Sequence, residues 1–368
     1  YPYLNSYSGP TWYISESGND TSAAGSSTDP FRSIQAALNF GNDDDTAYVS
    51  AGTYNENLVY RYDESESVRN VSLIGEDRET TIIDGQNNGI CIKLPANGYS
   101  SPLIKGFRIR NGYANGQMEN GSFNQGGGVS VSHNYDPVSL HDLIIENCNA
   151  VSGGGGGFGG GIFSVTSSLD ILNVNLNQNT AESGGGMYFS HESSVLITNT
   201  TISNNTADAD GGGIRGQNSN ITLTNCKISG NVATTGGGIY GEYGIIRNSE
   251  ITNNSAGYAG AISGEFALIN CTVANNASTS GNYSVEFSNN STDKYIMNSI
   301  FYGNTPDSIS IWTDMEISYS NVEGGLNVMM TQQPIWGSGN IDVNPIFVDT
   351  TNSDYTLQMD SPLIDAGH

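Results

Sequence analysis

Residues 195–214 read VLITNTTISNNTADADGGGI, and six versions of this phrase follow one another between Leu169 and Asn304. Each version carries two asparagines six residues apart, with an apolar residue three positions before the second one. A repeat of about 22–28 residues is typical of a solenoid, in which every repeat adds one coil. The first asparagine column is Asn173, Asn199, Asn225, Asn248, Asn270 and Asn298, and the second is Asn179, Asn205, Asn231, Asn254, Asn276 and Asn304.

Within a repeat, apolar and polar residues alternate as they do in a β-strand. Val195 and Ile197 have polar neighbours, and the alternation then shifts by one residue at Asn199. Such a shift requires a bend, and asparagine tolerates the left-handed backbone conformation better than most residues. Stacked coils would place these amides above one another, each bonded to the next. We therefore predict structural ladders, and expect Asn225 to be buried between Asn199 and Asn248.

A glycine cluster ending in an apolar residue closes each of the better-preserved repeats. It recurs at residues 126–129, 159–162, 184–187, 211–214 and 236–239. Glycine is a poor helix and strand former unless the backbone must turn or approach a neighbour closely. A phosphate-binding loop is the functional alternative, but no GK[ST] motif follows any cluster. The clusters therefore favour turns of a solenoid.

These motifs, GGGI and I/L/V/F-x-x-N, resemble the repeats of polymorphic outer-membrane and autotransporter-type surface proteins. The pattern as a whole resembles the right-handed parallel β-helix of the pectate-lyase-like superfold. The resemblance implies an all-β chain forming a single parallel β-helix of about eleven rungs, with an N-terminal helical cap. The same coil carries lyases, hydrolases, adhesins and inert spikes, so the resemblance leaves function open.

The chain divides by sequence into an N-terminal tail and one solenoid domain. Residues 1–11 are rich in Tyr and Pro and form the tail, and the domain spans 12–368. Residues 12–45 are expected to cap it, with a helix from Phe31 to Phe40 opened by Pro30. The series WYIS, DPF and SIQAAL in this segment resembles the N-terminal cap of exported β-helix proteins. Rungs are predicted over 46–322, and C-terminal rungs and a cap over 323–368, where residues 324–340 read as a loop.

Charge and composition limit the classes of function. The chain has 37 acidic and 12 basic residues, a net charge of −25, which argues against nucleic-acid binding. It contains no apolar run long enough to span a membrane, and it begins at Tyr1 as if already processed. Together with the repeat type, this predicts an extracellular or cell-surface location. Six sequons are candidate glycosylation sites: Asn19, Asn70, Asn120, Asn220, Asn282 and Asn290.

The four cysteines do not form a disulfide pattern. Cys226 and Cys271 occupy one column two rungs apart, about 9–10 Å at the usual strand spacing, which exceeds disulfide reach. Cys91 and Cys148 fall in other columns. We therefore predict four free, buried thiols. The sequence contains no CxxC motif, so a zinc site is not predicted.

One cluster of basic residues is a candidate catalytic site. Lys93, Lys105, Arg108 and Arg110 fall within 18 residues, and Glu119 follows in a loop. The resemblance to the pectate-lyase-like superfold implies how such a site would work. Polysaccharide lyases of that fold use a Lys or Arg base and cations that neutralise a uronate carboxylate. The alternative is a solvated strand face whose cations pair with acids.

Other candidate sites are weaker. Asp208 and Asp210 resemble part of a calcium loop, but they lack the downstream Glu of an EF-hand, and a polar turn is the alternative. His133 and His141 have neither a serine elbow nor a metal-binding partner in sequence. We therefore predict no cofactor, and Ca²⁺ binding stays open as an alternative.

The sequence favours a function without catalysis. We predict an exported structural or adhesive protein, such as a filament or surface-assembly subunit, that pairs with a second copy through the N-terminal tail and the solenoid ends. Tyr1, Tyr3, Leu4 and Tyr7 would then pack on a neighbour; the alternative is a tail folded back on its own first rungs. Two other functions stay open: a polysaccharide lyase or hydrolase acting on anionic glycans, and a carbohydrate-binding module without turnover.

Overall fold

The computed structural model describes residues 7–61, 69–95, 100–119, 122–123, 125–151, 156–281, 283–288, 294–312 and 314–367. The chain divides into two compact units. The N-terminal unit comprises Tyr1–Glu182 and Gly186–Leu196, and the C-terminal unit comprises Ser183–Gly185 and Ile197–His368.

Short β-strands make up most of both units. The first half of the chain contains the helix α1 (Ile34–Phe40) and the strands β1 (Thr11–Ile14), β2 (Thr46–Val49), β3 (Gly52–Tyr54), β4 (Leu58–Val59), β5 (Ser72–Gly75), β6 (Thr81–Asp84), β7 (Ile92–Leu94), β8 (Leu103–Arg110), β9 (Tyr113–Ala114), β10 (Met118–Glu119), β11 (Ser122–Phe123), β12 (Val129–Ser132), β13 (Val138–Glu146), β14 (Asn149–Ala150), β15 (Ile162–Val165), β16 (Ser168–Leu172), β17 (Asn175–Asn177), β18 (Thr180–Ala181), β19 (Met187–Ser190) and β20 (Ser194–Thr198).

The second half continues with strands of the same length. They are β21 (Thr201–Ser203), β22 (Thr206–Ala207), β23 (Ile214–Thr224), β24 (Lys227–Ser229), β25 (Val232–Thr235), β26 (Ile239–Arg247), β27 (Glu250–Thr252), β28 (Ser255–Tyr258), β29 (Ile262–Ile269), β30 (Thr272–Ala274), β31 (Ala277–Ser278), β32 (Val285–Phe287), β33 (Tyr295–Met297), β34 (Ile300–Tyr302), β35 (Ile309–Ile311), β36 (Glu316–Ser318), β37 (Asn321–Val322), β38 (Met329–Thr331), β39 (Ile335–Trp336), β40 (Phe347–Asp349) and β41 (Asp354–Leu357).

In the N-terminal unit the strands pair in parallel and form three stacks. Stack A contains β1, β2, β5, the first halves of β8 and β13, and β16. Stack B contains β3, β6, the second halves of β8 and β13, and β17. Stack C contains β4, β7, β12, β15 and β19, and the short strands β9, β14 and β18 pair beside it. The chain visits A, B and C in turn, which is a parallel β-helix.

The C-terminal unit repeats this order. Its stack A contains the second halves of β23, β26 and β29, followed by β33, β36 and β39. Its stack C contains the first halves of β23, β26 and β29, followed by β32, β35 and β38. Its stack B contains β21, β24, β27, β30, β34 and β37. The parallel pairing in both units confirms the predicted all-β class and the parallel β-helix.

Alternation along each strand gives each unit a narrow apolar interior. The inward residues of stack A lie opposite one another in register and are fully buried. Burying a Leu or Ile side chain contributes about 1.5–3 kcal/mol, so a column of such residues holds successive coils together. In the N-terminal unit the column is Ala47, Leu73, Ile104, Leu140 and Ile171, and in the C-terminal unit it is Leu223, Ile246, Leu268, Ile296 and Ile317.

The first asparagine column lies on the surface, so the expected burial of Asn225 is wrong. Its φ is 55°, in the left-handed region, and its amide nitrogen donates to Asn199 Oδ1 at 3.3 Å in an exposed contact. The left-handed bend points the asparagine outward and turns the next residue, Cys226, into the interior. The same geometry leaves Asn248 exposed.

The second asparagine column is buried and forms a continuous ladder. Asn231 Nδ2 donates to Asn254 Oδ1 at 2.9 Å and to Ile202 O at 2.9 Å, while the Asn231 backbone N–H donates to Asn254 Oδ1 at 3.0 Å. Asn205, Asn254 and Asn276 bond to the next asparagine in the same way. Each amide thereby satisfies backbone groups that the turn leaves without strand partners.

The helix begins three residues later than predicted. Ser33 is the N-cap, and its hydroxyl accepts from the Ala36 N–H. The carboxylate of Glu56 accepts from the Ile34 and Gln35 N–H groups at 2.8 and 2.9 Å. Phe31, expected to open the helix, is instead extended and bridges to Ile14 of β1. Capping groups outside the helical pattern therefore set its start.

The predicted loop over residues 324–340 is also wrong. This segment contains a 3₁₀ turn at Gly325–Val328 and the strands β38 and β39, which pair with β35 and β36. Their sequences, MMT and IW, are too short to show an alternation. Pairing with the preceding coil, rather than local pattern, makes them strands.

The last segment folds back along the C-terminal unit. Strands β40 and β41 pair with each other in an antiparallel hairpin. The Tyr355 hydroxyl donates to Asn253 Oδ1 at 2.8 Å and accepts from Asn275 Nδ2 at 2.9 Å. Lys227 Nζ donates to Ser353 O at 3.0 Å. The hairpin is thus held by polar side chains on the turns beside stack B.

Most of the predicted tail, residues 1–6, lies outside the described residues. Tyr7 contacts its own chain: its ring lies edge-on to Trp12, with 5.6 Å between centroids, and its hydroxyl donates to Thr11 O. Among the described residues, no helix has the length and apolar character of a membrane-spanning segment.

Candidate functional site

The four cations of the predicted basic site lie on three different stacks. Lys93 belongs to β7 in stack C, and Lys105 belongs to the first half of β8 in stack A. Gly106, with φ 81°, turns the chain, and Arg108 and Arg110 follow in stack B. Closeness in sequence therefore does not bring these side chains onto one face. Glu119 lies in β10, which pairs with β11.

Arg108 is paired with two acids. Its Nη1 lies 3.0 Å from Glu146 Oε1, and its Nη2 contacts Glu79 Oε2. Burial lowers the pKa of Arg108, but hydrogen bonds and charge from Glu146 and Glu79 outweigh burial and raise the pKa above its ordinary value. A guanidinium stabilised in this way is a poor proton acceptor.

Arg110 is also paired with an acid. Its Nε lies 2.7 Å from Asp84 Oδ2, and Asn111 Nδ2 donates to the same carboxylate. Burial raises the pKa of Asp84, but the hydrogen bonds from Asn111, the Gln86 N–H and Arg110 dominate and hold the pKa below its ordinary value. Asp84 is therefore ionised at neutral pH and neutralises Arg110.

Lys105 stands beside a histidine that sequence reasoning left without a role. Its Cα lies opposite that of His141, and it is exposed. His141 Nε2 lies 3.0 Å from Asp170 Oδ2. Asp170 is 29 residues further along the chain, and only the stacking of β13 on β16 brings the two together. His133, in contrast, lies in an exposed turn with φ 48°.

An open pocket of about 390 Å³ lies in the N-terminal unit, and we name it the amide pocket. Three successive coils contribute to it: the start of β4, the turn between β6 and β7, and β9. Its volume falls within the range of about 300–1,000 Å³ that is usual for small-molecule sites. It is lined by Asn57, Val59, Asn87, Asn88, Gly89, Ile90, Lys93, Tyr113 and Asn115.

The C-terminal unit carries a row of polar side chains on the outer surface of stack C. Arg215, Tyr240, Ser263 and Glu286 lie opposite one another on four successive strands. The Arg215 guanidinium lies 4.2 Å above the Tyr240 ring, a cation–π contact. Ser263 Oγ donates to Glu286 Oε2 at 2.6 Å, and Tyr283 OH donates to Glu286 Oε1 at 3.3 Å.

Sequence reasoning also missed Glu265, a buried carboxylate of β29. It is 6% exposed, and its Oε2 has no hydrogen-bond partner among the described residues. Burial raises the pKa of Glu265; the Lys294 ammonium opposes this effect and the Glu242 carboxylate adds to it. Its only sequence signal is a charge inside the otherwise uncharged stretch ISGEFALI.

The weak calcium candidates are held by other contacts. Asp210 Oδ2 lies 4.0 Å from Arg215 Nε, and the backbone carbonyl of Asp208 accepts from the Thr234 hydroxyl at 2.7 Å. The described part of the chain contains no group of three or more His, Cys, Asp or Glu residues arranged to hold a metal ion.

All four cysteines are free and buried, as predicted. Burial raises the pKa of Cys226 and of Cys271 to about 11 in each case. The Cys91 thiol donates to the Arg110 carbonyl at 3.3 Å, and its interaction with the neighbouring Cys148 thiol together with burial raises its pKa well above the ordinary value. The thiols of Cys91, Cys226 and Cys271 are therefore protonated at neutral pH and are poor nucleophiles.

The structure describes three of the six candidate glycosylation sites. Asn19 and Asn220 are exposed, whereas the Asn70 amide donates to Asp44 Oδ1 at 2.8 Å. The other three, Asn120, Asn282 and Asn290, lie outside the described residues.

Comparison with known proteins gives one family match. A model described as "Right handed beta helix region" matches residues 160–323. No curated protein sequence matches the chain. Pectate lyase Pel9A is a similar solved structure, with 13% identity, a TM-score of 0.48, and coverage of 97% of this chain and 91% of that chain. XylC in complex with xylose has 8% identity, a TM-score of 0.48, and coverage of 92% of this chain and 87% of that chain. A rhamnogalacturonan lyase has 13% identity, a TM-score of 0.42, and coverage of 93% of this chain and 91% of that chain. At these values none of them assigns a substrate to this chain. The residues that the family model matches, 160–323, form parallel stacks of the β-helix described above.

Proposed function

We propose that the protein is an exported, extracellular or cell-surface β-helix with a structural and adhesive function, without catalysis. The observation that supports this most directly is the state of the predicted basic site. A lyase needs a base that can lose its proton and cations left for the substrate carboxylate. Arg108 and Arg110 are both paired with acids, and the two lysines belong to other stacks.

The overall charge supports the same proposal. A net charge of −25 repels a polyanion such as pectate or alginate, and this repulsion is strongest at low ionic strength. The charge also keeps a surface protein well solvated. The repeat type, GGGI with I/L/V/F-x-x-N, resembles that of surface proteins and supports the proposed location. We further propose that any N-linked glycan is carried at exposed sequons such as Asn19 and Asn220.

The test is an activity panel on purified protein. Pectate and alginate are assayed for release of unsaturated uronides, with and without added Ca²⁺, beside a pectate lyase as the positive control. We expect no release above the buffer blank in either condition. Turnover by the wild type that is lost in Lys105→Ala would overturn the proposal and restore the lyase alternative.

A second candidate function, hydrolysis of a glycosidic bond, is favoured by one pair of residues. Glu265 is buried with a raised pKa, whereas two hydroxyls hydrogen-bond to Glu286. In an inverting mechanism one carboxyl group with a raised pKa protonates the glycosidic oxygen, and a second carboxylate takes a proton from the attacking water.

This candidate is tested by reducing-sugar release from neutral polysaccharides. If it holds, Glu265→Gln and Glu286→Gln each abolish turnover, while Glu242→Gln retains most of it. A wild type that releases no reducing sugar rules the candidate out and leaves the adhesive function as proposed.

A further inference from the structure

We infer that the amide pocket binds a sugar unit of a neutral, hydroxyl-rich glycan. This inference extends the proposed adhesive function, which names no ligand and no site, and rests on it only in expecting binding rather than turnover. Sugar hydroxyls are recognised by groups that both donate and accept hydrogen bonds, and a side-chain amide offers two donors and one acceptor. Four of the nine lining residues are asparagines.

Two of these asparagines have a fixed backbone and an uncommitted side chain. The Asn87 N–H donates to Asn111 O at 2.7 Å, and the Asn88 N–H donates to Gly85 O at 2.9 Å. Both residues are exposed, and their side-chain amides have no hydrogen-bond partner among the described residues. Ligand binding therefore costs little conformational entropy of the backbone, and it breaks no hydrogen bond of these two side chains within the described residues.

The wall of the pocket is held in place by its own hydrogen bonds. Asn57 Nδ2 donates to Ile90 O at 3.2 Å, and the Tyr113 N–H donates to Gly89 O at 2.8 Å. Gly89 keeps the space beside Asn57 open, because a Cβ at that position would lie 3.3 Å from Asn57 Cγ. The three coils thus present a preformed surface rather than a loose loop.

The pocket also offers an apolar surface for the C–H face of a sugar ring. Val59 is 44% exposed although it lies on a strand, and the Tyr113 ring is half-buried beside it. Ligand sites commonly combine such apolar area with a few polar groups that fix orientation.

The charges at the pocket distinguish it from the rest of the surface. Its lining contains Lys93 and no carboxylate, in a chain with 37 acidic residues. A second pocket in the same unit, lined in part by Glu16, Asp20 and Glu56, shows the contrast. There Asp20 and Glu56 accept hydrogen bonds from the backbone around the helix start, and Glu16 accepts one from the Thr53 N–H of β3. A ligand in the amide pocket therefore does not meet a carboxylate of the lining. The net negative charge of the chain disfavours binding of a polyanion.

Affinity electrophoresis and titration calorimetry test the inference. The neutral probes are xyloglucan, galactomannan, mixed-linkage β-glucan and dextran, and the anionic probes are polygalacturonate and alginate. The variants are Asn88→Ala and Asn87→Gly, the latter because glycine keeps the left-handed φ of 57°. Asn327→Ala, at an exposed asparagine of the other unit that lies in no glycosylation sequon, is the matched control. Thermal melting of each variant establishes that folding is unchanged.

We expect at least one neutral probe to retard the wild type, with affinity at least tenfold lower in both pocket variants and unchanged in Asn327→Ala. Binding that is equal in all variants would overturn the pocket assignment and leave the adhesive function standing. Preference for the anionic probes would overturn the ligand class, and no binding to any neutral probe would overturn the inference entirely. Release of reducing sugar would count against the proposed function instead.

Discussion

At the scale of single residues, the two asparagine columns have different roles. The first column makes the left-handed bend, a backbone conformation that asparagine tolerates better than most residues. The second column forms the buried hydrogen-bonded ladder. The side chain at the bend points outward, and the one after the next turn points inward, as Asn225 and Asn231 do.

Asn231→Ala should therefore destabilise the protein by about 1–3 kcal/mol, because it removes the acceptor of the Asn205 N–H and Nδ2 and the donor to the Ile202 carbonyl in the buried interior. The control is Asn225→Gly, which removes an exposed amide but keeps the left-handed backbone. Its cost should stay below about 1 kcal/mol. Denaturant unfolding measures both, and equal losses would contradict the assignment of the buried ladder.

Glu265 leads to a prediction about pH. Burial disfavours its charged form, so its pKa is higher in the folded than in the unfolded state. A carboxyl with a raised folded-state pKa favours folding at low pH and loses that contribution as pH rises through the folded pKa. Glu265→Gln should raise the melting temperature at pH 7 relative to wild type, with the difference shrinking towards pH 4. The opposite trend would mean that Lys294 dominates the site.

At the scale of elements, the sequence predicted the strands that alternate and missed the elements set by distant contacts. The helix start depends on Glu56 and Ser33, and β38 and β39 depend on the coil beneath them. The basic site failed to assemble for a related reason, since a left-handed glycine at 106 separates Lys105 from Arg108. The spacing of residues along the chain does not show which stack each side chain belongs to.

The C-terminal hairpin tests the strength of such contacts. Tyr355→Phe removes one hydroxyl that bridges Asn253 and Asn275, and it should increase hydrogen exchange in residues 347–357 while the stacks remain protected. The control is Tyr302→Phe, because the Tyr302 ring packs on Phe347 at 6.4 Å without such a bridge. Equal exchange in the two variants would show that ring packing, not the bridge, holds the hairpin.

At the scale of the whole molecule, the exposed strand edges at the two termini differ. At the N-terminal end, Tyr13 of β1 donates to Gly25 O and accepts from the Phe31 N–H, both at 2.9 Å, so residues of the same chain cover this edge. At the C-terminal end, β39 pairs with β36, and the later strands β40 and β41 form a separate two-stranded sheet among the described residues. Ile335 of β39 is 58% exposed. Open strand edges with exposed apolar residues tend to pair with another chain.

We therefore predict that concentrated protein self-associates through the edge at β39 rather than through the tail. Ile335→Lys places a charge on this edge and should shift the protein to monomer in analytical ultracentrifugation, whereas deletion of residues 1–6 should leave association unchanged. The deletion spares Tyr7, which contacts its own Trp12. Loss of association on deletion, with Ile335→Lys still associated, would instead place the second copy at the tail. A wild type that stays monomeric at high concentration would contradict self-association through either surface.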